Sequence, residues 1–292
     1  MVRLGEVPAR LRARASTNVR RAIGIDREPP TVCHDSALAY VPLDAVARVV
    51  HADLPAMLIG GLGSLFFQML HPYSMAGVAQ HSRYRDDALG RVLQTANFIA
   101  STTYGTTDEA HDAISKVLGI HEYVRGVADD GVAYYANDPH LLAWVHAAGT
   151  RMFLSAFQSF GPTEFTGDQA DAYVSDVART ARDLGAEGPP TNVAELDAML
   201  EDFRGELRLS DDARMARDFV IRGVVQRPLQ RASYRLLVDG AFSLLPPWAA
   251  DMLEVTPRAR VARYERPATL ALNAGLRYFV TPPSQRVAGQ AS

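Results

Sequence analysis

The chain has 292 residues, 48% of them from the apolar set and 22% charged, with 21 Gly, 17 Pro and one Cys. That is the composition of a soluble globular protein long enough to enclose a ligand within one core or two small ones. The single cysteine, Cys33, excludes a disulfide framework, a cysteine-based zinc or iron–sulfur site and a C-x-x-C-H attachment motif, and makes the cytoplasm the expected compartment. A formal charge of −3, from 30 basic and 33 acidic residues, argues against bulk affinity for nucleic acid.

Only Lys116 is a lysine, so 29 of the 30 basic residues are Arg, which coding bias or selection for recognition could each produce. Residues 1–28 hold seven Arg against Glu6, Asp26 and Glu28. This basic start reads as a surface helix or frayed arm, with peripheral contact to acidic lipid as the alternative. It lacks the apolar core of a secretory signal. Residues 1–40 and 281–292 are expected to be mobile ends, flanking one helical domain over 41–280.

No Asp, Glu, Lys or Arg occurs from Leu54 to Ser82, and Leu54–Leu70 is almost wholly apolar. A membrane span needs roughly 20 such residues in a row. Here His71-Pro72 breaks the run and Gln68 interrupts it, so a helix buried on all sides is expected. Gly60, Gly61 and Gly63 would let another helix, or a flat ligand, approach its backbone.

Helix signals then recur. Asp86 or Asp87 caps a helix to about Thr103 with Leu89, Val92, Leu93, Ala96 and Ala100 facing inward; Thr107 caps the next, whose Ile114, Val117, Leu118 and His121 share a face, with Gly126 as its stop. Val127–Tyr135 around Asp129-Asp130-Gly131 is the one plausible hairpin. Asp138-Pro139 opens a helix through about Phe160. Thr166-Gly-Asp-Gln169 reads as a capping box with Gly185 ending its helix, and Asn192 precedes another. Ser210-Asp211-Asp212 opens a further segment, residues 228–244 form the next, and Pro246-Pro247 separates a last region. The fold class is therefore all-α, a single multi-helix domain enclosing an apolar pocket.

Two groups of residues invite chemistry. Of the eight histidines, His121 shares a face with Ile114, Val117 and Leu118, and His146 with Leu142, Gly149 and Phe153. An inward imidazole needs a partner, and either a satisfied core residue or a metal ligand meets that need. Arg91 and Thr95 stand one helical turn apart with Gln94 beside them: a guanidinium can hold a carboxylate and a hydroxyl can donate to a bound oxygen. Asp87, four residues before Arg91, offers it a plain surface ion pair instead. The Glu-x-x-His pairs of a helical di-iron site are missing, the nearest approach being Asp108-x-x-His111. No G-x-S-x-G, P-loop, H-E-x-x-H or dinucleotide fingerprint occurs.

Four segments in register carry a resemblance: His71-Pro-Tyr-Ser-Met-Ala-Gly-Val-Ala-Gln-His81-Ser82, Arg91-Val-Leu-Gln-Thr95, His121-Glu-Tyr-Val-Arg125-Gly126, and Tyr135-Ala-Asn-Asp138-Pro139 through Leu142-Ala-Trp144-Val-His146. Together they resemble the oxygenase MpaB / latex clearing protein family from about Leu58 to Phe203, and more faintly toward Pro247. The resemblance implies an all-helical fold that binds haem b without covalent attachment and uses O₂. It makes His121 the proximal iron ligand and places Arg91 and Thr95 on the distal-side helix. Gln94 stands where the latex clearing enzymes carry Lys, so the sixth iron position should be open or water-bound. Arg125 would reach a propionate or stay in solvent, and His81 and His146 are alternates as ligand or distal donor. The glycine-bearing 54–70 helix would wall a pocket suited to a small lipophilic, isoprenoid-like substrate. The alternative function is a non-catalytic helical protein that shields an apolar ligand or haem. Oligomeric state is not legible.

Overall fold

The computed structural model describes residues 32–82, 84–222, 228–255 and 259–280. The basic 1–28 segment and the 281–292 tail lie outside the described residues. Among the described residues there are twelve α-helices, which make the structure 70% helical, and one small two-stranded sheet. In chain order they are α1 (Val46–Ala52), α2 (Leu54–Gln68), α3 (Pro72–His81), α4 (Ala88–Tyr104), α5 (Thr107–His121), the strands β1 (Arg125–Val127) and β2 (Ala133–Tyr135), α6 (Pro139–Phe160), α7 (Gly167–Asp183), α8 (Val193–Phe203), α9 (Asp211–Arg222), α10 (Pro228–Phe242), α11 (Pro247–Met252) and α12 (Ala259–Val280).

The centre is the pair α2 and α6. Asp53 caps α2, its carboxylate accepting from the Ala56 amide at 2.9 Å, and the same carboxylate pairs with Arg277 of α12, Nε to Oδ2, at 2.6 Å. The α2 glycines face α6: a Cβ on Gly60 would meet Phe153 Cδ1 at 2.8 Å and Phe153 Cα at 3.0 Å, and one on Gly63 would meet Met152 Sδ at 3.1 Å. The close approach foreseen for these glycines is thus taken by a helix, not a flat ligand. The expected pocket wall is therefore closed on its Gly60/Gly63 face. Around this contact Phe66, Phe67, Trp144, Met152, Leu154 and Phe157 are buried, and Trp144 Nε1 donates to the Gln68 carbonyl at 3.2 Å. Among the described residues no single helix is long and apolar enough to cross a membrane; α1 and α2 meet at a bend of 91°.

Caps set most boundaries. The amides of His140 and Leu141 donate to Asp138 at 2.8 and 3.4 Å, with Pro139 following, and this opens the 22-residue α6. Thr166 with Gln169 and Asn192 with Glu195 start α7 and α8 as expected. The cap of α5 is Thr106, one residue earlier than anticipated, in a reciprocal box with Glu109. Gly126 does not stop α5. That helix ends at His121, and Gly126 lies in β1 opposite Tyr134, where a Cβ would sit 2.6 Å from Gln80 Oε1 and 2.9 Å from the Tyr134 hydroxyl. The hairpin turn carries Gly131 at φ +82, a left-handed conformation that glycine adopts without strain.

Residues 32–40, expected to belong to a mobile arm, are tied down. The Cys33 amide donates to the Tyr104 carbonyl at 2.7 Å, Ala39 bridges Thr106, and the fully buried Tyr40 donates its hydroxyl to Asp183 at 2.6 Å.

Gly60→Ala should destabilise the protein by about 1–3 kcal/mol, because its methyl overlaps α6 backbone. Gly61→Ala, whose Cβ meets only Phe153 Cε1 at 3.9 Å, should be neutral or stabilising by up to about 1 kcal/mol. Urea denaturation of both variants reads the difference, and equal shifts would show that the α2–α6 approach is not limiting.

Candidate functional site

The site begins with α4 and α5, consecutive helices joined through Gly105. Asp87 caps α4 by accepting from the Gly90 amide at 2.9 Å, and among the described residues no ion pair joins Asp87 to Arg91. Arg91, Gln94, Thr95, Ala96 and Asn97 are all exposed. Ala96, expected to face inward, does not, whereas Phe98 further along is half-buried against the cluster that holds Tyr40, Ala110 and Ile114. The Thr95 hydroxyl donates to the Arg91 carbonyl at 3.1 Å, so it presents lone pairs outward rather than the donor proton anticipated for it.

At the far end of α5, His121 is half-buried. Its Nδ1 lies 3.1 Å from Asn137 Oδ1, and Asn137 Nδ2 donates to the Leu118 carbonyl at 3.1 Å and to the Tyr135 hydroxyl at 3.3 Å. Burial foremost pushes the His121 ring below its ordinary 6.5; the Asn137 hydrogen bond opposes this, and the positive charge of Arg91 adds to it. The imidazole is therefore neutral at pH 7, and Arg91 is close enough for its charge to be felt there. The Arg91 charge thus reaches the His121 ring, and Gln94 and Thr95 stand on the same helix as Arg91.

The other candidates stand elsewhere. Arg125 is exposed and is the first residue of β1, not one helical turn beyond His121, because α5 ends at position 121. His81, exposed at the end of α3, has Nε2 3.2 Å from the Arg125 carbonyl and its ring edge-on to Tyr134, so it braces the hairpin. His146 on α6 has Thr150 Oγ1 at 3.5 Å, and burial with the Arg182 charge pushes its ring to about 4.

Three positions escaped the sequence reading. His51 lies between Thr103 Oγ1 at 2.8 Å and the Tyr173 hydroxyl at 3.1 Å. His71 is wholly buried; its Nδ1 caps α3 by accepting from the Tyr73 amide, while Nε2 has no hydrogen-bond partner among the described residues and stands 3.5 Å from Glu206. A 260 Å³ cavity opens beside it, lined in part by Tyr73, Tyr134, His140 and Glu206, with His140 Nε2 bound to Glu206 at 2.9 Å. Asn137 carried a faint signal, since it directly precedes the Asp138-Pro139 cap.

Among the described residues no group of three or more His, Cys, Asp or Glu could hold a bare metal ion. A haem iron asks less of the protein: one axial imidazole, neutral, with its other ring nitrogen held by an acceptor. His121 fits that demand, and the exposed half of α4 carries the cationic Arg91 that an anionic porphyrin substituent needs.

These features define a helical domain with one half-buried imidazole bound at Nδ1 by an amide. The chain belongs to the family described as ER-bound oxygenase mpaB/B'/Rubber oxygenase, catalytic domain, whose model matches residues 48–274. It is thus an oxygenase domain, an oxidoreductase that uses O₂, and the match runs well beyond the Leu58–Phe203 segment of the sequence resemblance. No curated protein and no solved structure gave a match.

Burial pushes His51, His71 and His146 to about 4. Their unfolded value is near 6.5, so the unfolded chain takes up protons first. Stability present above pH 6.5 is lost as pH falls toward 4, by up to about 1.4 kcal/mol per pH unit for each ring. His51→Gln should flatten the fall of the urea midpoint over that window by one proton; an unaltered slope would show that this ring is not held neutral.

Proposed function

We propose that the chain is a haem b-dependent oxygenase acting on a small lipophilic, isoprenoid-like substrate, with His121 as the axial protein ligand. The observation that carries this reading is the His121 environment: a half-buried neutral imidazole whose Nδ1 is bound by Asn137 while Nε2 has no hydrogen-bond partner among the described residues. When bound, haem supplies the redox chemistry through which O₂ attacks an organic molecule.

The chain's own residues then have separable tasks. His121 fixes where the cofactor sits. Arg91, which no carboxylate pairs among the described residues, holds an anionic group bidentately. Thr95 turns its hydroxyl oxygen outward as an acceptor, and Gln94 offers an amide that is a poor iron ligand. Ile120, Tyr123, Val127 and Tyr135 leave exposed apolar surface at the α5 end and on the hairpin, which supports a lipophilic substrate.

Purified with haem in supply, the protein should show a Soret band that is nearly abolished in His121→Ala and kept in His81→Ala. Colourless native protein, or a band indifferent to His121, would overturn the reading. Haem without O₂ consumption on any prenyl or other lipophilic substrate would point to the non-catalytic alternative.

A further inference from the structure

We propose that Asn137 is the positioning residue of this site: it locks His121 in the tautomer that carries its proton on Nδ1 and leaves the Nε2 lone pair bare. The inference rests on His121 being the axial ligand only for its consequence. The lock itself follows from hydrogen-bond roles.

A backbone carbonyl can only accept. The Leu118 carbonyl, 3.1 Å from the Asn137 amide, therefore requires the NH₂ end of that side chain. Oδ1 is then the atom facing His121 at 3.1 Å, and an amide oxygen can only accept, so the proton of the ring must be on Nδ1. Flipping the amide to admit the other tautomer would set two acceptor oxygens against each other at the Leu118 contact. Leu118 lies on the same helix as His121, three residues earlier, so α5 carries both the ring and the carbonyl that dictates its proton.

The amide is itself rigidly hung. The Ala136 amide donates to the Val124 carbonyl at 2.9 Å, the Asp138 amide to the Tyr135 carbonyl at 3.0 Å, and the Val124 amide to the His121 carbonyl at 3.0 Å. Asn137 is thereby fixed between the last residue pair of the hairpin and the cap of α6. No step of the sequence reading assigned it a role. A neutral amide acceptor gives the imidazole less anionic character than a carboxylate in its place, so this position also sets how electron-rich the ligand is.

The test uses the full chain labelled with ¹⁵N histidine. In the haem-free protein, His121 should show a protonated Nδ1 and a bare Nε2, and Asn137→Leu should turn this into a mixture. In the haem-loaded protein, Asn137→Leu should weaken haem retention by about ten- to a hundredfold. Asn137→Asp, whose second oxygen would face the Leu118 carbonyl, should hold haem less well than the native chain and lower the reduction potential of the haem it keeps, a shift that a merely structural side chain would not produce. A protonated Nε2 in the haem-free native chain, or an unchanged tautomer in Asn137→Leu, overturns the inference. The first readout needs no variant, so a misfolded variant does not shelter the idea. The tautomer found as stated together with haem retained in His121→Ala would instead overturn the ligand reading and leave the lock standing.

Discussion

Everything at the site hangs from the contact of α2 with α6. The two helices approach closely enough for Gly60 to touch the α6 backbone, and any side chain there would push them apart. That contact fixes α6, and α6 begins under the Asp138 cap, one residue after Asn137. The amide that orients His121 is in this way referred to the best-packed part of the molecule rather than to a loop. Orientation of a ligand to a few tenths of an ångström needs that kind of support, because a ring swinging on an unanchored helix end would present its lone pair only part of the time.

The α4 helix is built on another principle. On α4, Arg91, Gln94, Thr95, Ala96 and Asn97 are all open to solvent. The helix is held by its Asp87 cap and by its second half, where Phe98 and Thr102 pack.

Local hydrogen bonding explains what the sequence made legible. Caps at Asp87, Asp138, Thr166 and Asn192 involve partners two or three residues away, so their helices could be read directly, and so could the turn at Gly131. The family motifs likewise singled out His121 and Arg91, and the charge of one reaches the ring of the other. What failed was nonlocal. Gly126 reads as a helix stop until Gln80 and Tyr134 arrive from other elements, and Arg125 reads as one turn past His121 until the chain leaves the helix. Residues 32–40 read as loose because the groups that fix them, Tyr104 and Asp183, lie far along the chain. Asn137 was invisible as a site residue, since its importance lies wholly in facing a carbonyl and a ring on α5.

Chemical rescue addresses the central claim most directly. His121→Gly leaves a gap where the imidazole stood, and free imidazole can occupy it. Haem content per chain should approach one in the native protein, fall close to zero in His121→Gly, and return when imidazole is added. Equal haem content in native and variant chains, or a native chain that takes up none, would contradict the account.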